Sequence, residues 1–218
     1  MFESLPDIPR LFTALAEWGA ALVYVFVVAR SASSNALNPN AAIPRWRLAA
    51  AAVGGLVVLV GAQELLGRAP LSLWVPGMMT AYALVWCVIR VGTALDWRWV
   101  THMSARAFIV AELAASLAWQ VVVYSHADKP YWHPLSFGGF AAISATCLAV
   151  VYFFERRVYR QGALPVLRYA DLASGVVIGI SIFALSNLSF ISTATPFSGR
   201  SGWEVFYIRT LVDLAGYA

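Results

Sequence analysis

Six polar side chains stand within or beside apolar segments where no polar group is expected: Glu17, Glu112, Gln120, Asn187, Arg209 and Asp213. An ionisable group inside such a segment is costly and marks either a function or a buried pair. Three kinds of chemistry suit this set. The groups can satisfy one another as glue between helices. They can line a polar pocket for a small ligand or peptide, or they can relay a proton or an ion. Arg209 and Asp213 lie four residues apart, which puts them on one helical face within pairing distance. Glu112, Ser116, Gln120 and Tyr124 recur every four residues as one polar stripe, and Thr13, Glu17 and Tyr24 share a face of an earlier segment. Gln63 and Glu64 close a further apolar run, with Arg68 one turn on. The glue reading pairs Glu64 with Arg68, Arg209 with Asp213 or Glu17, and Gln120 with a neighbouring helix.

Other chemistry finds little support. The two cysteines, Cys87 and Cys147, sit inside apolar runs as small core residues. The histidines His102, His126 and His133 come with no Cys-x-x-Cys, so no metal site is expected, and a loop holding His126, Asp128 and His133 is too weak a pattern to suggest one. There is no His-Glu-x-x-His, no Gly-x-Ser-x-Gly and no Walker lysine, Lys129 being the sole lysine, which leaves a membrane-bound processing enzyme without a motif.

The elements that position these residues are set by composition. Of 218 residues, 61% are apolar and 12% charged, and the mean hydropathy is +0.71. A soluble domain needs about twice that charge to cover its surface. A soluble enzyme, a disordered tail and a nucleic-acid-binding module are thereby excluded, despite a pI near 9.3. The pattern predicts an all-α, polytopic membrane helix bundle. Crossing ~30 Å of hydrocarbon takes about 20 apolar residues, and the segments 11–29, 48–66, 71–91, 105–125, 136–154 and 171–192 qualify as six full transmembrane helices. A seventh run begins near Trp203 and is only part-way across at Ala218, so the chain reads as a fragment forming one domain over 1–218.

Met1 to Asp7 lacks a basic signal-peptide start, and the first segment is expected to be retained. Pro76-Gly77 predicts a kink in the third helix. Gly175-x-x-x-Gly179 predicts a close helix approach, and Trp74, Trp97, Trp99, Trp132 and Trp203 fall at expected interfaces. No internal repeat of the inverted-transporter kind is visible. One set of alternate loops and flanks holds ten basic residues: Arg30, Arg45, Arg47, Arg90, Arg98, Arg106, Arg156, Arg157, Arg160 and Arg168. The opposite set holds four: Arg10, Arg68, Lys129 and Arg200. The richer side belongs in the cytoplasm, which places the N-terminus outside and the far end of a completed seventh helix inside.

Three stretches carry a resemblance. Leu5-Pro6-Asp7-Ile8-Pro9-Arg10 followed by Thr13-Ala14-Leu15-Ala16-Glu17-Trp18 resembles the start of bacterial sensor histidine kinases with a GHKL-type ATPase domain. Arg106-Ala107-Phe108, Ala111 to Leu117 and Trp119-Gln120 are similar to that family's fourth helix. The strongest likeness lies in Ser186 to Phe190, Thr195 to Gly199, Glu204 and Ile208 to Gly216. The second, third and fifth helices match in hydropathy alone. The resemblance implies the membrane-sensing region of a two-component kinase in the bacterial plasma membrane, homodimeric, taking an unknown extracellular ligand and acting on a response regulator. It implies no cofactor in this chain, with ATP and Mg in a missing cytoplasmic domain. No phosphoacceptor histidine or ATP-binding box follows here, so this chain alone is expected to phosphorylate nothing. The competing expectation is a small multi-pass transporter or an ion- or proton-coupled membrane protein using the same buried charges.

Overall fold

The computed structural model describes residues 8–34, 43–93, 95–125, 130, 132–159 and 167–191, together with 211, 214, 215 and 217; the side chains of 32–34, 71, 74, 124 and 182–191 are outside that description. Most of the described residues are helical, with no strand among them. In chain order the helices are α1 (Arg10–Ser34), α2 (Arg45–Ala49), α3 (Gly55–Leu66), α4 (Trp74–Thr93), α5 (Trp97–Ser125), α6 (Pro134–Tyr159) and α7 (Tyr169–Ile191). A π turn, Ala50–Gly54, joins α2 to α3 into one continuous rod, and a 3-10 turn, Leu71–Leu73, leads into α4. Five helical stretches among the described residues are long and apolar enough to cross a bilayer: Arg10–Ser31, Arg45–Leu66, Val75–Thr93, Trp97–Val123 and Pro134–Tyr159. The chain is a multi-pass membrane protein. α7 adds 23 helical residues.

Local chemistry explains where the rods begin and bend. Asp96 caps α5, its Oδ2 accepting from the Arg98 amide at 3.2 Å. At α7 the cap works in reverse: Asp171 Oδ2 reaches back to the Arg168 amide at 3.2 Å. At the π turn the regular ladder loosens, and the Trp18 indole donates to the Ala52 carbonyl at 2.7 Å. Pro76 falls in the first turn of α4, where a proline forfeits no intrahelical N–H bond.

α1 and α5 are the core. The apolar span of α1 is 67% buried and that of α5 72%, against 22% for Arg45–Leu66 and 17% for α6. α1 packs on α3, α4, α5 and α6, while α7 lies against α5. Large apolar side chains among the described residues, including Val57, Leu65, Phe153, Phe154, Val158 and Ile180, project outward, as lipid-facing positions do. Without water to drive helices together, association in a bilayer relies on close packing at small residues. At Gly92 a Cβ would stand 2.7 Å from a Val25 methyl and 3.0 Å from the Ala51 Cβ, so α1 and the α2–α3 rod both meet α4 there. Gly92→Val is expected to cost about 1–3 kcal/mol by overpacking. Thermal unfolding in detergent checks it, with Gly61→Val, where a Cβ meets nothing within 4 Å, as the neutral control.

Candidate functional site

Two buried polar clusters lie along α1, separated by one apolar layer. Glu17 and Tyr24 belong to different clusters, about 10 Å apart at 1.5 Å per residue. The antiparallel register of α1 and α5 is set at both ends. Phe12 meets Trp119 edge-on, ring centroids 5.7 Å apart, and Tyr24 shares a carboxylate with Arg106. Glu17 is therefore level with Leu113 and Ala114, between Glu112 and Ser116.

The cluster at the Tyr24 end centres on Glu155, a carboxylate on α6 whose side chain is 3% exposed. Its Oε1 accepts from the Tyr24 hydroxyl on α1 at 2.9 Å, from Arg106 Nε and Nη2 on α5 at 3.1 and 2.9 Å, and from the Tyr217 hydroxyl at 2.9 Å. The Arg106 guanidinium also lies over the Tyr217 ring, 4.7 Å from its centroid. One carboxylate thus joins three helices and the final segment of the chain. The Arg106–Glu155 pair has its charges matched, with two guanidinium N–H groups and two phenols on the carboxylate, the condition under which a buried ion pair persists.

The cluster at the Phe12 end is differently made. Gln63 on α3 donates its Nε2 to Glu17 Oε1 at 2.8 Å, and both side chains are fully enclosed. Glu17 Oε2, Gln63 Oε1, Ser116 Oγ and Gln120 Oε1 are buried and meet no hydrogen-bond partner. Glu112 is half-buried, and its charge, with that of Arg10, reaches Glu17. An aromatic layer closes this end, where Phe12 stacks on Phe140 with centroids 4.0 Å apart and planes at 12°.

The sequence expectations divide accordingly. Glu17, Glu112 and Gln120 are brought to one half of the α1–α5 interface. Asn187 lies in α7 with its side chain outside the described residues, and Arg209 and Asp213 lie outside them altogether. Gln120 Oε1 finds no donor on a neighbouring helix. Glu64 and Arg68 are both exposed and make no pair, because α3 ends at Leu66 and Arg68 has left its i, i+4 lattice. Sequence reasoning missed the Glu155 cluster through helix boundaries. With a span expected at 105–125, Arg106 counts as a loop flank, but α5 begins at Trp97 and carries it well inside. A span ending at 154 stops one residue short of Glu155, while α6 continues to Tyr159. The signal was the Trp97-Arg98-Trp99-Val100 stretch after Asp96, a capped amphipathic start that hydropathy alone underrates.

Among the described residues no group of histidine, cysteine or carboxylate side chains could hold a metal ion. Cys87 and Cys147 are free thiols. The arrangement ties helices to one another. Comparison with protein-family models, with curated proteins and with solved structures gives no match.

Proposed function

We propose that this chain is the membrane input region of a two-component sensor histidine kinase, relaying an extracytoplasmic signal through its last helix to a cytoplasmic GHKL ATPase domain. In this reading the bundle has six full spans and the start of a seventh, with the N-terminus outside. It works as a homodimer in the bacterial plasma membrane, and the kinase region uses ATP and Mg and phosphorylates a response regulator. One observation carries the reading: Tyr217, in the segment that would lead to the kinase, donates to Glu155 beside Arg106. A shift in α1, α5 or α6 therefore changes the seat of that segment directly. Such a shift requires a ligand that binds two packings of the bundle with different affinities, and the charge asymmetry of the loops and the sequence resemblance support the same assignment.

The test is autophosphorylation of the protein encoded by the whole reading frame, reconstituted in vesicles. Tyr217→Phe removes the hydroxyl and keeps the ring over Arg106. Basal autophosphorylation is expected to change at least threefold, with the protein inserted and folded as before. That factor corresponds to about 0.7 kcal/mol, within the usual net worth of one hydrogen bond. A frame that ends at codon 218, or unchanged phosphorylation in the variant, counts against the proposal.

A further inference from the structure

The two glutamates buried among the described residues sit in opposite surroundings. Glu155 receives a guanidinium and two phenols, which suits a carboxylate anion. Glu17 receives one neutral amide N–H, from Gln63, and has a second carboxylate, Glu112, within electrostatic reach. The charged groups that act on Glu17 are Glu112 on α5 and the oppositely charged Arg10 on its own helix. Glu17 is 2% exposed and Gln63 1%.

The hydrogen-bond inventory of this pair is one donor short. Glu17 Oε1 is satisfied, yet Glu17 Oε2 and Gln63 Oε1 are both left without a partner. A carboxylate and a carboxamide oxygen are both acceptors, so neither can serve the other. A single hydrogen on Oε2 changes that, since a protonated carboxyl is donor and acceptor at once and pairs with a carboxamide through two parallel bonds. One proton would satisfy both orphans and remove an uncompensated charge from the apolar interior.

We propose that Glu17 and Gln63 form a proton-binding site, in which the hydrogen carried on Glu17 Oε2 is donated to Gln63 Oε1 and locks α1 to α3. Uptake forms the Oε2–H bond with a proton drawn from water, and release returns that proton to water. Release leaves an anion within electrostatic reach of Glu112 and two buried acceptors without a donor, which loosens the hold of α1 on α3. The inference concerns the bundle itself and does not depend on the kinase reading. A metal cation is the poorer fit: calcium takes about 6–8 oxygen ligands, and the orphaned oxygens here are those of Glu17, Gln63, Ser116 and Gln120.

Infrared spectroscopy of the 218-residue chain in lipid nanodiscs at neutral pH tests it. The wild type is expected to show a protonated-carboxyl C=O stretch that disappears in Glu17→Gln. That variant is expected to fold with an unchanged Tm, because its amide N–H occupies the position of the acid O–H. Gln63→Leu is expected to shift the band to higher frequency by removing its partner, and Glu112→Gln to retain it. Three results would each overturn the site: a Glu17→Gln difference spectrum that loses carboxylate absorption instead, a Glu17→Gln chain that fails to fold, or loss of the band in Glu112→Gln alone.

Discussion

Replacing Arg106 with leucine is expected to destabilise the bundle by about 3–5 kcal/mol, the usual cost of removing one partner from a buried ion pair. The loss follows from what remains. Glu155, with its side chain 3% exposed, would keep a full charge in the interior with two phenol donors and no cation. Glu155→Leu is expected to cost less, because the orphaned guanidinium, 28% exposed, can reach polar surroundings along its flexible stem. The double variant Arg106→Leu/Glu155→Leu removes both charges and is expected to recover most of the stability, since apolar replacement of a buried pair is often neutral or better. Thermal unfolding of the four proteins in one detergent closes the cycle. Additive losses would mean that the two side chains do not act as a pair.

Phe12→Ala is expected to be the next most damaging change, at about 3 kcal/mol, the low end of the range for deleting a buried phenylalanine. Phe12 is fully buried, stacked on Phe140 and edge-on to Trp119, so its ring is the common contact of α1, α5 and α6 at that end. The low end applies because helices in a bilayer gain little from the hydrophobic effect, and the cost is chiefly lost contact and cavity. Phe12→Leu keeps most of the volume and is expected to lose about half as much. Tm shifts in detergent measure both. Equal Tm for Phe12→Ala and wild type would remove the ring from the set of contacts that hold these helices together.

The two effects explain how a chain with few charged groups can keep a defined packing in lipid. Small residues such as Gly92 let the rods approach, but their contacts alone are compatible with neighbouring registers. A buried carboxylate that must find Arg106, Tyr24 and Tyr217 together removes that freedom, as does the Glu17–Gln63 bond between α1 and α3. Both polar clusters bridge different helices at different depths along α1, and together they set its rotation and its height.

Much of this was legible from residue order. Apolar length alone separates the rods, because a bilayer demands about 20 residues of satisfied backbone per crossing, and the helices over Arg10–Ser31, Val75–Thr93 and Pro134–Tyr159 follow it. Glu17, Glu112 and Gln120 were recognisable as out of place for the same reason. Their partners were not. Helical spacing reports which residues share a face, but it is silent on which neighbour that face meets, so it pairs Glu64 with Arg68 and does not point to Gln63 as the partner of Glu17. Helix ends were the second blind spot. Arg106 and Glu155 lie where hydropathy fades and aromatic, basic and polar residues mix, and a capped extension of each helix draws them inward. Composition alone places this protein in a membrane as a bundle of helices, since solvation energy sums over residues without reference to contacts. The packing of the helices makes Glu155 the shared acceptor and Gln63 the partner of Glu17, because a hydrogen bond depends on positions that no spacing along one helix contains.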